Sequence, residues 1–392
     1  MPHVVRASAR SRALRRPLRA GAVAVAACWL AACASTAPPA APGPTAPGAA
    51  PTVGQPTATS VAQPPTAQPT PRQVLRFRLG LASSGVPALP NSVLWLAKDL
   101  GFYEAEGLDV TLVEVQGTPS VITAMRTGDV DAGNISTQDV VKLTASQTLD
   151  LRAIHSPDAR LYFLIAARDE VVSPADLKGR TFGVARIGSV DHSLTNLVLG
   201  AKGINPADLR LLAIGAPAVR AQTLVGGRID ATTISIATWV SIRNEKGVKI
   251  LVNLDDYFAA APVVDKVNAV TLRALNEKPE QLRRFTAAVM KLSRRLANDK
   301  QAWLDALAQR RPDLDPADAS DLWDAFKTSW AVNGLMNLSQ YQKTADFLYQ
   351  TDDFKDVSRV QVQDWADTRF ADAVLKEIGV DARFDDPGRP IQ

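Results

Sequence analysis

Residues 75–115 read LRFRLGLASSGVPALPNSVLWLAKDLGFYEAEGLDVTLVEV, and this stretch decides the predicted fold. The apolar run from Leu75 to Ala82 predicts a strand, after which Asn91 or Ser92 is placed to cap a helix with apolar residues at helical spacing. A second apolar run, Leu108 to Val115, predicts the next strand. A strand, a helix and a strand in this order predict the first βα unit of an α/β fold.

The same alternation continues outward from this segment to about Leu254, and amphipathic helical patterns replace it after about Val267. We therefore expect an α/β fold with two Rossmann-like lobes around a central cleft. Residues 74–165 are expected to form lobe one, 166–257 lobe two, and 258–392 to return to lobe one with C-terminal helices that pack on it. The crossings between lobes are expected near Ala166 to Asp169 and near Asp255 to Pro262.

The N-terminal 33 residues combine arginines, an apolar run from Ala20 to Leu30 and the sequence Leu30-Ala31-Ala32-Cys33. The apolar run is too short to span a bilayer permanently. The ending is similar to the lipobox of bacterial lipoproteins, which implies a signal peptide over 1–33 and lipidation of Cys33. We expect an exported protein, periplasmic or at the cell surface, anchored to a bacterial membrane through that lipid. A chance cysteine in an ordinary signal peptide, or an uncleaved anchor, is the alternative.

Residues 34–73 are rich in Pro, Ala and Thr, and their one charged residue is Arg72. Such a segment lacks the apolar surface needed for a packed core, so it is predicted to be an extended linker, partly in polyproline II conformation.

The formal charge of +4 is misleading, because residues 1–71 contain six arginines and no other charged side chain. The rest of the chain carries 38 Lys and Arg against 40 Asp and Glu. Without a basic excess, we expect no nucleic-acid partner.

The two cysteines, Cys28 and Cys33, leave no internal disulfide for an exported domain. The three histidines, His3, His155 and His192, lack metal-ligand spacing, so we expect no metal site. No nucleophile elbow, P-loop or dinucleotide glycine fingerprint is present, and we expect no cofactor.

Residues 94–110, LWLAKDLGFYEAEGLDV, resemble the opening segment of the nitrate, sulfonate and taurine group of substrate-binding proteins, the NMT1/THI5-like family. The resemblance continues at 116–117, 125–133, 177–184 and 226–231. It implies a type II periplasmic binding protein fold and a monomeric lipoprotein of an ABC importer. Such a protein is not an enzyme: it captures a small solute between its lobes and delivers it to the permease.

Ligands of open α/β sheets bind beyond the carboxyl ends of the strands, where helix N-termini present free N–H groups. The polar residues and one tryptophan expected at that position, and hence the candidate ligand contacts, are Ser83, Ser84, Thr118, Ser120, Asn134, Ser136, Thr137, Gly188, Ser189, Asp191, His192, Ser235 and Trp239.

Several of these residues also have a structural interpretation. Thr118 and Ser189 stand where helix N-caps are expected, and His192 could be a surface residue. Trp239 could instead form a wall of the pocket.

The sequence does not decide the identity of the solute. Asp191 argues against an anion, whereas Arg186 argues for one. Nitrate, a sulfonate or taurine, a pyrimidine precursor of thiamine, and an aromatic acid stacked on Trp239 are the alternatives.

Two other function classes are alternatives to a transport receptor. The fold resembles that of the pyrimidine synthases of thiamine biosynthesis, but the chain lacks their cysteine-rich motif. A lipoprotein that senses a ligand, or acts as a scaffold, without a permease is the other class.

Overall fold

A computed structural model of the chain describes residues 73–83 and 85–383. The expected signal peptide, Cys33, the linker up to residue 72 and Ser84 lie outside these residues. No described helix is long and apolar enough to cross a membrane.

The described strands, in chain order, are β1 (Leu75–Leu81), β2 (Leu108–Glu114), β3 (Ala132–Ser136), β4 (Leu151–His155), β5 (Phe163–Arg168), β6 (Thr181–Val184), β7 (Arg210–Ala213), β8 (Ala231–Ser235), β9 (Val248–Val252) and β10 (Lys266–Thr271). The described helices are α1 (Val93–Asp99), α2 (Phe102–Ala105), α3 (Gly117–Thr127), α4 (Thr137–Ala145), α5 (Val190–Ala201), α6 (Pro217–Val225), α7 (Ile236–Val240), α8 (Leu254–Ala260), α9 (Leu272–Glu277), α10 (Pro279–Asn298), α11 (Lys300–Arg310), α12 (Pro316–Phe326), α13 (Leu338–Leu348) and α14 (Arg369–Ile378). Short 3-10 turns include Pro90–Ser92 and Asp352–Phe354.

The strands form two five-stranded sheets with the same internal plan. The first has the order β2-β1-β3-β10-β4 and the second the order β7-β6-β8-β5-β9. In the first sheet β1 runs parallel to β2 and β3, and in the second β6 runs parallel to β7 and β8. The predicted α/β fold with two lobes is therefore confirmed.

Each sheet is mainly parallel, with four strands running in one direction and one strand running against them. The antiparallel strands are β10, between β3 and β4, and β5, between β8 and β9. These are the two strands that receive the chain from the other sheet.

The chain changes sheet earlier than the sequence suggested. It leaves the first sheet after His155 and enters the second at Phe163, so the first crossing covers residues 156–162. The expected crossing at Ala166 to Asp169, and the expected lobe boundary at 165/166, instead fall on β5. Leu164 to Ala167 are fully buried, and β5 is paired on both sides, which makes it an interior strand of lobe two.

The second crossing lies between β9 and β10, and the expected stretch Asp255 to Pro262 falls within it. Most of that stretch is α8, whose Tyr257 packs in the core of lobe two. The segment that links lobe two back to lobe one is therefore residues 261–265.

Among the C-terminal helices, α10, α11 and α14 pack on lobe one, as predicted, whereas α12 also contacts α7 of lobe two. The long helix α10 contacts α1, α2 and α14 as well as β1 and β2. Its Phe285 ring lies 4.9 Å from that of Phe77 in β1 and 6.0 Å from that of Tyr103 in α2, between ring centroids. Burying these rings together stabilises the layer of helices on the sheet.

Candidate functional site

The cleft brings the end of β3, the start of α5 and the second crossing into contact. A cavity of about 10 Å³ is lined by Ser136 and Gln138 of lobe one, Val190 of lobe two, and Val263 to Asp265 of the crossing, with Thr344, Phe347 and Leu348 closing it. The two lobes therefore touch at this point.

Ser136 and Thr137 lie at the carboxyl end of β3, as expected: Ser136 is the last residue of β3 and Thr137 the first of α4. The Ser136 hydroxyl caps α4: it accepts from the Asp139 backbone N–H at 3.1 Å and donates to the Asp139 carboxylate at 2.5 Å. Thr137 donates its backbone N–H to the Asp265 carbonyl at 2.8 Å, and its buried hydroxyl has no hydrogen-bond partner among the described residues.

Asn134 belongs to a hydrogen-bonded chain inside lobe one. Its side-chain nitrogen donates to Asn268 Oδ1 at 3.0 Å, Asn268 Nδ2 lies 2.8 Å from His155 Nε2, and His155 Nδ1 lies 3.3 Å from Thr286 Oγ1. Burial lowers the pKa of His155 to about 3, so the ring is neutral. The nitrogen of Asn134 is thus occupied within its own lobe.

The start of α5 holds four of the candidates. Ser189 makes no side-chain cap; its hydroxyl donates to the Arg186 carbonyl and to Asp191 Oδ1, both at 2.5 Å. Asp191 Oδ2 accepts from the Ala185 backbone N–H at 3.0 Å. The backbone N–H of Gly188 donates to Nδ1 of the buried His192 at 3.0 Å, so His192 is not a surface residue.

Asp191 has a cationic partner that the sequence did not indicate. Nη2 of the buried Arg220 lies 3.4 Å from Asp191 Oδ2 and donates to the Thr233 carbonyl at 3.0 Å. Arg186, for its part, lies 3.8 Å from Asp353. The two charges that gave opposite indications about the solute are therefore both paired within the protein, and neither decides the solute's charge.

The remaining candidates lie at helix starts or loops. Ser235 caps α7 by accepting from the Thr238 backbone N–H at 3.2 Å, and Trp239 is half-buried in the same helix against the main core. Ser83 donates to the Gly85 carbonyl at 3.0 Å, while Ser84 is outside the described residues.

Thr118 and Ser120 lie in the first turns of α3. Gln116 occupies the N-cap position of that helix, so Thr118 does not cap it. Ser120 is exposed and donates to the Gln116 carbonyl at 2.9 Å.

Sequence reasoning missed two acids in the crossings, Asp158 and Asp265, which we name the hinge acids. Asp158 is buried, and neither carboxylate oxygen meets hydrogen-bond geometry with a described residue. Burial, reinforced by the like charge of Asp265, raises the pKa of Asp158 to about 8, against the opposing influence of Lys266 and the Asn91 backbone N–H. Burial also raises the pKa of Asp265 and of the adjacent Tyr162.

Asp158 could have been recognised from its position three residues after β4, had the first crossing been assigned there. The described residues contain no group of three or more His, Cys, Asp or Glu placed to hold a metal ion.

Comparisons with known proteins agree with this architecture. A family model described as NMT1/THI5 like matches residues 91–300. A Brucella abortus chain described as a binding protein is 27% identical over 218 residues, which is 54% of this chain and 65% of that relative. The chain thus spans 65% of the length of the curated relatives it matches.

Several solved structures share the fold. The periplasmic sulfonate-binding protein SsuA of Methylobacillus flagellatus is 16% identical, with a TM-score of 0.64 over 82% of this chain and 100% of that one. The alkanesulfonate-binding protein SsuA of Xanthomonas axonopodis, bound to MOPS, is 19% identical, with a TM-score of 0.58 over 76% of this chain and 100% of that one.

The desulfurization enzyme DSZB is also similar, at 16% identity and a TM-score of 0.58 over 77% of this chain and 100% of that one. Identities this low show the fold, which is that of periplasmic binding proteins, and an enzyme occurs among the similar structures.

Proposed function

This chain belongs to the NMT1/THI5-like family, and we propose on that premise that it is the solute-binding component of an ABC importer. It captures a small solute between its two lobes and delivers it to the transmembrane permease. The observation that carries the proposal is the pair of crossings, at 156–162 and 261–265, which join two sheets of the same strand order. Two linking segments between rigid lobes are the usual basis of hinge closure around a ligand.

We propose that the chain binds its solute without transforming it. Both cysteines lie before residue 34, which leaves no thiol nucleophile in the two lobes. His155 is neutral and fully hydrogen-bonded inside lobe one, and His192 accepts from Gly188. Neither imidazole is therefore available as a general base that could activate a nucleophile.

Export and anchoring complete the proposal. Residues 1–33 would direct export, Cys33 would carry the lipid, and the Pro-rich segment 34–73 would hold the binding domain away from the membrane as a monomer. The test is incorporation of labelled palmitate. A Cys33→Ala chain that still partitions fully with membranes would contradict the lipid anchor.

Solute binding is tested on the purified chain by thermal unfolding against nitrate, taurine, alkanesulfonates, aromatic acids and pyrimidines. A solute at 100 times its dissociation constant stabilises the folded state by about 2.7 kcal/mol. Any stabilising solute should then be imported by cells, and deletion of the gene should abolish that uptake. Unchanged uptake of a tightly bound solute would argue for a sensing lipoprotein rather than a transport receptor.

A further inference from the structure

Unpartnered buried oxygen atoms occur at and beside the first crossing, as they do at several other places among the described residues. Among the described residues, Asp158 Oδ1 and Oδ2, Asn91 Oδ1 and Thr137 Oγ1 are buried and have no hydrogen-bond partner. The side chains that carry them are 7%, 6% and 1% exposed, respectively. We name these three residues, together with Tyr162 and Asp265, the acceptor cluster.

The members of the acceptor cluster adjoin one another. The Thr137 backbone N–H donates to the Asp265 carbonyl at 2.8 Å, which joins α4 to the second crossing. The Asn91 backbone N–H faces Asp158. In addition to burial, the charge of Asp265 raises the pKa of Asp158, and both acids raise the pKa of Tyr162. The cluster therefore draws on the Pro90–Ser92 turn, the end of β3 and both crossings.

The buried acid Asp131 and the half-buried acid Asp230 are both paired with cations, in contrast to Asp158. Asp131 accepts from the Arg78 backbone N–H at 2.9 Å, from Arg78 Nη2 at 2.7 Å and from Lys278 Nζ at 2.8 Å. Asp230 in lobe two accepts from the Thr181 backbone N–H at 2.7 Å and pairs with Arg180 at 3.2 Å. A buried acceptor without a donor destabilises a fold by about 1–3 kcal/mol, so its retention calls for a functional reason.

The unpartnered atoms of the cluster lack hydrogen-bond donors, and this lack determines which kind of ligand fits. Two carboxylates and an amide oxygen can only accept hydrogen bonds once the acids are ionised, whereas an ammonium group offers three donors and a positive charge. Lys266 opposes the rise in the pKa of both hinge acids, yet no ion pair among the described residues joins it to either of them. A sulfonate or nitrate at this position would be repelled by the hinge acids wherever they are ionised.

We propose that the acceptor cluster binds the ammonium group of a cationic amine solute, with the carboxylates of Asp158 and Asp265 as the charged acceptors and with the Asp158 proton released to solvent as the amine binds. This inference rests on the proposed solute-binding function and narrows its substrate class. It assigns the solute's head group to the crossings, so that the same contact that recognises the amine also draws the two linking segments together.

The experiment compares probes of equal length and different charge. The full chain is heated with butylamine or butane-1-sulfonate, and with 2-phenylethylamine or 2-phenylethanesulfonate, each at millimolar concentration. We expect a rise in the unfolding midpoint with the amine of at least one pair and none with its sulfonate. For the amine that binds, titration calorimetry should show a loss of about 10-fold or more in affinity in Asp158→Asn and in Asp265→Asn, because each removes one charge-assisted hydrogen bond.

Asp255→Asn is the matched control, since Asp255 is a largely exposed carboxylate beside the second crossing that pairs with Arg160. It should bind the amine as the unmodified chain does. The inference is overturned if no amine raises the midpoint, or if the affinity for the amine survives in both Asp158→Asn and Asp265→Asn. Stabilisation by a sulfonate alone would also overturn it but leave the solute-binding function standing, whereas that function fails only if no solute of the broader panel binds.

Discussion

Asp158 makes the stability of the protein depend on pH. Its pKa of about 8 in the folded state exceeds the ordinary value of 3.8, so the folded state favours the protonated carboxyl. The resulting stabilisation is complete below about pH 4 and is lost as the pH rises through 8. Relative to Asp158→Asn, the chain should lose unfolding free energy over that window, by at most about 1.4 kcal/mol per pH unit.

Urea unfolding of both proteins at pH 5 and pH 8 measures this difference. Asp265, Tyr162, Lys266 and the Asn91 backbone N–H face Asp158 and are present in both, so the comparison isolates the one carboxyl. Asp255→Asn should keep the slope of the unmodified chain. Parallel stability curves for the chain and Asp158→Asn would show that Asp158 titrates normally.

The Asp191–Arg220 pair predicts a coupled effect on stability. Arg220→Leu leaves Asp191 without its cation, and removing one partner of a buried pair typically costs about 3–5 kcal/mol. Because Asp191 is partly exposed, we expect a loss near the low end, about 3 kcal/mol. Adding Asp191→Asn should recover part of it, and strictly additive losses in the double-mutant cycle would show that the two side chains are not coupled.

The sequence alone only partly distinguishes polar residues with a structural role from candidate ligand contacts. Ser136 and Ser235 were correctly placed after strands, yet both hydroxyls cap helices. Serine is favoured both as a cap and as a ligand contact, so its position alone does not separate the two roles. Asp158 and Arg220 were missed because their character depends on burial and on partners distant in sequence.

At the scale of elements, the close packing of α3 on β3 predicts that a larger residue at Gly133 destabilises the protein. A Cβ at Gly133 in β3 would lie 2.6 Å from Val121 Cγ1 and 2.7 Å from Met125 Sδ, both in α3. Gly133→Ala should therefore push α3 off the sheet and reduce the unfolding free energy by about 1–3 kcal/mol.

Gly200→Ala is the matched control, because Gly200 lies in α5 and a Cβ there would meet nothing within 4 Å. Alanine is the better helix former, so this change should stabilise the protein by about 0.5–1 kcal/mol. Denaturant unfolding of the two variants provides the comparison. A Gly133→Ala protein as stable as the parent would mean that α3 adapts without loss.

Strand positions were predictable from the sequence, but strand directions were not. Apolar runs with an intervening helical period located β1 and β2 because burial imposes those patterns. The run in β5 is just as continuous, since a central strand is buried on both faces whichever way it runs. Such a run does not show whether the strand is parallel or antiparallel to its neighbours. The sequence therefore did not show that β5 already belongs to lobe two, and the predicted crossing was too far along the chain.

At the scale of the whole molecule, Asp353 joins the two lobes in the arrangement described. It follows α13, next to Phe354, which packs in the core of lobe one. Asp353 Oδ2 accepts from Gln138 Nε2 at 3.1 Å and lies 3.8 Å from Arg186 Nη2 of lobe two. This exposed contact is made only while the lobes are close, so it adds to the closed state and not to the open one.

Weakening that contact should shift the protein toward the open form. Arg186→Ala removes an exposed ion pair worth about 1 kcal/mol or less. A ligand that prefers the closed state must then supply the missing stabilisation, so we expect a loss of solute affinity of up to about 5-fold. Small-angle scattering of the free variant should give a larger radius of gyration than that of the parent, and saturating solute should bring the two together. Arg359→Ala is the control, since Arg359 is as exposed as Arg186 and pairs with Asp346 within the C-terminal region. Equal radii for Arg186→Ala and the parent, with and without solute, would mean that the lobes do not move as a hinged pair.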